Sequence, residues 1–134
     1  MPAEYARLFT RAGRVLDSHR GLDYGALEMA RAFAKKLDAP LVSATTTRLL
    51  VDLNRSPHHR NVFSEFSRVL TAAERETAIA KHYFPYRTKV EGVVAAAVQS
   101  GAAVLHVSSH SFTPMLNGET RRTDLGLLYD PRRG

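Results

Sequence analysis

Apolar residues recur at helical spacing early in the chain and gather into strand-like runs further on. In GLDYGALEMARAFAKKL the positions Leu27, Ala30, Phe33, Ala34 and Leu37 fall three and four apart, which predicts a helix. Asp23 is placed to cap its orphan amides, and Pro40 stops it. PLVSATTTRLLVDLNR is rich in β-branched residues and leucine, and predicts one or two strand pieces ending at Asn54 and Arg55. Thr71 and Glu74 of TAAE form a capping box that opens a helix. Pro85 predicts a break, giving a short helix to about Lys81 and a second from about Tyr86 to Ser100, closed by Gly101 in a left-handed conformation. Val90, Val93, Val94, Ala97 and Val98 are its expected buried face. AAVLHVSS, from Ala102 to Ser109, reads as a second strand, and the tail TDLGLLYD as a hairpin or a further strand.

Strand, helices, strand at this spacing predicts a βαβ crossover, with both strands parallel in a sheet covered by helices. The expected class is therefore α/β. In such sheets the chemistry belongs at the carboxyl ends of the strands, so Asn54 and Arg55 are expected on one edge with Ser109, His110 and Ser111.

Composition narrows the picture. A chain of 134 residues with 44% hydrophobic and 24% charged content suits one soluble domain with one core. The longest apolar run, Val93 to Val98, is far short of the roughly 20 residues that span a bilayer. MPAEYARLF has neither the basic head nor the apolar body of a signal peptide. The expectation is a cytoplasmic protein with no membrane partner. There is no cysteine, so disulfides, thiolate catalysis and cysteine-bound zinc are excluded. The net charge of +6 comes from scattered residues such as Arg7, Arg11, Arg14 and Arg31. That pattern suits a small anionic ligand better than nucleic acid, which is not expected as a partner.

Candidate chemistry concentrates in HVSSHSF, residues 106 to 112. A serine nucleophile needs a base in reach, but neighbours along a strand point to opposite faces, and no G-x-S-x-G turn is present. His110 has two readings: a hydrogen-bonded structural histidine, the commoner fate of a lone His at a strand end, or a metal ligand with Ser109 and Ser111 as orienting neighbours. His106 reads as a satisfied residue of the core or second face. In RLLVDLNR, Arg48, Asn54 and Arg55 read equally well as a grip on a substrate carboxylate or as surface ion pairs. DSHRGLD supplies Asp17, His19 and Asp23, dense enough for part of a site, although a helix cap explains Asp23 on spacing alone. His58 and His59 read as exposed loop residues, and His82 as serving a helix dipole.

The blocks DSHRGLDYGALEMARAFA, SATTTRLLVDLNRS, FSEF, HYFPYR, VLHVSSHSFTP and GLLYDPRR, in that order, resemble the N-formylglutamate amidohydrolase family over nearly the whole chain. The resemblance implies a three-layer α/β/α fold of the carboxypeptidase-like (phosphorylase/hydrolase-like) kind with a mostly parallel or mixed sheet. It implies a zinc hydrolase in amino-acid catabolism that releases formate, or another acyl group, from a small anionic N-acyl amino acid such as N-formyl-L-glutamate. His110 corresponds to a metal-binding histidine. Asn54 and Arg55 correspond to the pair that holds the substrate carboxylate, with Arg48 a further candidate. His19, Asp23, Ser109 and Ser111 line the site. No catalytic base is identified.

Family members also carry a Glu-His-Gly-Gly-type motif ahead of the segment corresponding to Met1, and a strand with a suitable glutamate beyond that corresponding to GLLYDPRR. Residues 1–134 are thus expected to form a single but incomplete family domain, weak or inactive alone because one histidine does not hold zinc tightly. The alternatives are an inactive carboxylate-binding fragment or subunit, and a chain completed by a copy of itself or by a second polypeptide.

Overall fold

The computed structural model describes residues 2–116 and 118–129. A 3-10 helix, Ala3–Phe9, leads into the single turn α1, Gly13–Leu16. Then follow α2, Ala26–Leu37, and after a long irregular stretch α3, Ala72–Ala78, a π-helical turn Ile79–Tyr83, and α4, Phe84–Gln99. Among the described residues the only sheet is a two-residue antiparallel pair, β1 (Met115–Leu116) with β2 (Glu119–Thr120).

Local chemistry sets several of these boundaries. The capping box at α3 forms as expected: the Glu74 N–H donates to Thr71 Oγ1 at 3.3 Å and the Thr71 N–H to Glu74 Oε2 at 2.8 Å. Gly101 ends α4 at φ 80, a left-handed conformation that costs glycine little. The expected break at Pro85 does not occur. The π turn passes the chain directly from α3 into α4, with the Phe84 N–H bonded to the Ile79 carbonyl. Pro85 then sits in the first turn of α4, immediately after the π turn, and the helical path continues past its ring.

The core gathers on the 3-10 helix, on part of the irregular stretch and on the helical rod. Tyr5 and Phe9 of the 3-10 helix pack with Leu49, Leu50, Val51, Val62, Phe63 and Leu70 from the irregular stretch, and with Ala78 and Tyr83. Leu50, Val51 and Ala78 are fully buried. The one or two strand pieces expected over 40–55 are corrected. The Leu50 and Val51 N–H groups donate to the Thr47 carbonyl at 3.0 and 3.4 Å, and the Leu49 N–H to Thr47 Oγ1, so residues 47–51 form a turn. Three consecutive buried residues at Leu49–Val51 also break the alternation of a half-buried strand.

The predicted strand at Ala102–Ser109 is likewise not formed. No backbone group of residues 40–46 or 103–113 pairs with another backbone group among the described residues. Leu105 is 88% exposed. A β-branched run suits a pleated surface, but a strand exists only in a ladder, and these segments have none here. The βαβ unit and the three-layer α/β/α arrangement are absent among the described residues. TDLGLLYD forms no strand over 123–129, and its last residue, Asp130, lies outside the described residues.

Other expected faces also differ. Val90, Val93, Val94 and Ala97 of α4 are only half-buried and Val98 is exposed, because no sheet covers them. In α2, Phe33 and Leu37 are exposed for the same reason. His82 lies in the π turn with its ring edge-on to Tyr5 at 5.8 Å, and does not serve a helix end.

Candidate functional site

A cleft of about 380 Å³ lies between α2, α4 and the two unladdered segments, lined by Asp23, Arg48, Asp52, Asn54, Tyr86 and His110 among others. Its polar end is assembled from three distant pieces of chain. The first is the loop before α2. Asp23 was expected to cap that helix, and this is corrected: the N-cap is Gly25 at φ 72, with no side-chain cap bond. The Asp23 carboxylate is thereby left for other partners.

The first of those partners is His110, whose Nδ1 lies 2.8 Å from Asp23 Oδ2. On the other side of the ring, Asn54 Nδ2 lies 2.8 Å from His110 Nε2. The imidazole is thus held on both ring nitrogens, by the Asp23 carboxylate at Nδ1 and by the Asn54 amide at Nε2.

Two serines complete this end, in different ways. Ser111 Oγ donates to Asp23 Oδ1 at 3.5 Å and lies 3.3 Å from His19 Nδ1. Ser109 Oγ donates to the Ala26 carbonyl at 2.9 Å, tying its segment to the start of α2. Neither serine hydrogen-bonds to His110, so the expectation that both orient its ring is corrected. His106 is exposed and lines the cleft, which corrects its core reading.

The arginines meet at a residue that the sequence reading passed over. Asp52 is buried, at 6% exposure, and its Oδ2 accepts from Arg48 Nη2 at 2.9 Å and from Arg55 Nε at 3.2 Å. Its Oδ1 accepts the Asn54 N–H at 3.1 Å, and its own N–H donates to the Val62 carbonyl. Arg48 and Asn54 reach the cleft, whereas Arg55 is not among its lining residues; Arg55 Nη1 lies 3.3 Å from His59 Nε2 and its carbonyl accepts from the Tyr83 hydroxyl. His59 is therefore half-buried, while His58 is exposed as expected. The signal for Asp52 was its spacing, four residues after Arg48 and three before Arg55, where charges on one turn meet.

Zinc does not fit these residues alone. His110 with Asp23 behind it has the chemistry of one zinc ligand with its orienting carboxylate. A protein zinc site needs three or four donors, and no group of three His, Asp or Glu side chains is placed to hold a metal among the described residues. No helix is long and apolar enough to cross a membrane among the described residues.

Comparison with known proteins gives the class first. A crystal structure of gene product Atu2144 from Agrobacterium tumefaciens matches with a TM-score of 0.87 at 32% identity, over 98% of this chain and 55% of that one. This chain thus spans little more than half the length of that relative. No curated protein matches it. The family model for N-formylglutamate amidohydrolase matches residues 1–132, and the chain belongs to that family.

Proposed function

We propose that this chain supplies the substrate-binding part of a hydrolase site that cleaves the formamide, or a related N-acyl bond, of a small anionic amino acid such as N-formyl-L-glutamate. The observation that carries the proposal is the meeting of Asp23, Asn54 and His110 at one end of a cleft that also holds Arg48. Arg48 and Asn54, which line the cleft, are assigned to the substrate carboxylate, the guanidinium by paired N–H donation and the amide by a single bond; Arg55, outside the lining, is assigned to the same carboxylate by the family resemblance. Asn54 sits between the carboxylate grip and His110, and so places the acyl group beside the imidazole. Ser111, itself within reach of His19, donates to Asp23 and is assigned to hold it in place.

His110 is assigned as a zinc ligand, through Nε2, which requires Asn54 to give up its contact there. The two or three further donors are not among the described residues, and no step is derived through the metal. Residues 40–46 and 103–109 are assigned strand positions in a carboxypeptidase-like sheet of a single domain, supported by their β-branched sequence and unpaired backbone. The cytoplasm is the proposed compartment. A copy of this chain or a second polypeptide is the proposed source of a neighbouring strand.

A second reading, favoured by the single candidate ligand, is a carboxylate-binding chain without turnover. The two readings separate in one assay: formate release from N-formyl-L-glutamate with added zinc and with chelator. Zinc-dependent release abolished by His110→Ala supports the hydrolase. Binding that persists in chelator, without release and sensitive to Arg48→Ala, supports the second reading.

A further inference from the structure

We infer that Asp52 is a positioning residue, a buried carboxylate that presets Arg48, Arg55 and Asn54 in the geometry an anionic substrate meets. The inference rests on the proposed carboxylate grip, but much of it concerns the protein alone. Both oxygens of Asp52 are engaged. Oδ2 takes one N–H from each guanidinium, and Oδ1 takes the Asn54 N–H in a turn two residues long. The backbone beneath is fixed as well, since the Asp52 N–H donates to Val62 and Val51 is fully buried. Asp52 is therefore the rigid member and the arginines, whose side chains are 49% and 39% exposed, are the movable ones.

Charge and geometry explain what this arrangement does. Two guanidiniums share one carboxylate, so the cluster keeps one uncompensated positive charge, and a second carboxylate balances it. Arg48 uses one of its three nitrogens, and Arg55 uses two, one on Asp52 and one toward His59. The remaining N–H groups of Arg48, which lines the cleft, are available to a substrate, and Arg55 adds its charge from behind. Long arginine side chains lose rotamer freedom when they bind. Here Asp52 imposes that order on folding, before the substrate arrives.

Asp52→Asn separates positioning from a merely structural role. Asparagine keeps the shape and the Oδ1 acceptor for the Asn54 N–H, and replaces Oδ2, the charged acceptor of both arginines, with an NH2 that only donates. The expected result is faster modification of Arg48 and Arg55 by phenylglyoxal, read by peptide mass spectrometry, with binding of N-formyl-L-glutamate weakened about tenfold, as loss of a charge-assisted contact predicts. Asp52→Glu should restore part of the protection.

Unchanged reactivity of both arginines in Asp52→Asn overturns the inference. Raised reactivity in a protein whose wild type binds no N-formyl-L-glutamate supports the positioning of the arginines and overturns the carboxylate-grip reading instead. Should the variant fail to fold, the wild-type chain decides by NMR. The Arg55 Nε–H, donated to Asp52, should exchange with solvent more slowly than those of Arg11 and Arg31; equal exchange overturns the inference.

Discussion

Asp23 Oδ2 lies 2.8 Å from His110 Nδ1, and this contact joins residues 87 positions apart. With the Ser109 bond to Ala26 and the Ser111 contacts to Asp23 and His19, it fastens a segment that has no backbone ladder of its own. Asp23→Ala is therefore expected to speed amide hydrogen exchange over 108–112 while leaving the interior of α2 unchanged. Where formate release is measurable, Asp23→Asn should lower it by roughly 10- to 100-fold, the usual cost of losing the partner that orients a metal-binding histidine.

Leu50 is fully buried at the centre of the core, though it lies in a turn. Leu50→Ala removes its side chain from the core cluster to which Tyr5, Phe9 and Tyr83 also belong, and should cost about 3 kcal/mol. Urea unfolding checks this; a cost under about 1 kcal/mol would place the core elsewhere.

Glu74 gives the capping box a pH dependence. The hydrogen bond from the Thr71 N–H, with a second from the Thr71 hydroxyl, holds its carboxyl below the ordinary 4.5. A carboxyl depressed in the folded state contributes stability that is full above its unfolded pKa and is lost as pH falls through the folded one. The melting temperatures of the wild type and Glu74→Gln should therefore differ at pH 7 and converge below pH 4.5. A constant difference across that range would refute the linkage.

Gly92 lies in the interior of α4, and a Cβ added there meets nothing within 4 Å. Gly92→Ala should stabilise the chain by about 0.5–1 kcal/mol, because alanine gives up less backbone freedom in a helix. Thermal or urea unfolding reads this directly, and destabilisation would mean that the position is covered in solution.

The parts of the fold legible in the sequence were those that residues specify locally. Thr71 with Glu74 and Gly101 act through bonds within a few residues, and each forms where it was expected. The expected strands do not form, because residues 40–55 and 102–109 carry strand chemistry but a ladder depends on neighbours. At the site, the co-location of Asn54 and His110 was foreseen from the end of each run, yet the βαβ unit invoked for it is absent among the described residues. Asp23 was read as a helix cap because its spacing allowed it. Gly25 took that place, and only the fold shows that Asp23 serves His110 instead.

The π turn at Ile79–Tyr83 carries one residue more than an α-helical path would. Each residue of an α-helix advances the side chains by about 100° around the axis. The turn therefore acts as a phase shifter, letting one nearly continuous rod show Ala78 and Tyr83 to the core and Tyr86, Val90, Val93 and Val94 to the cleft. Removing a single residue there would rewind the rod and swing the whole cleft wall aside, with no change to any side chain that lines it.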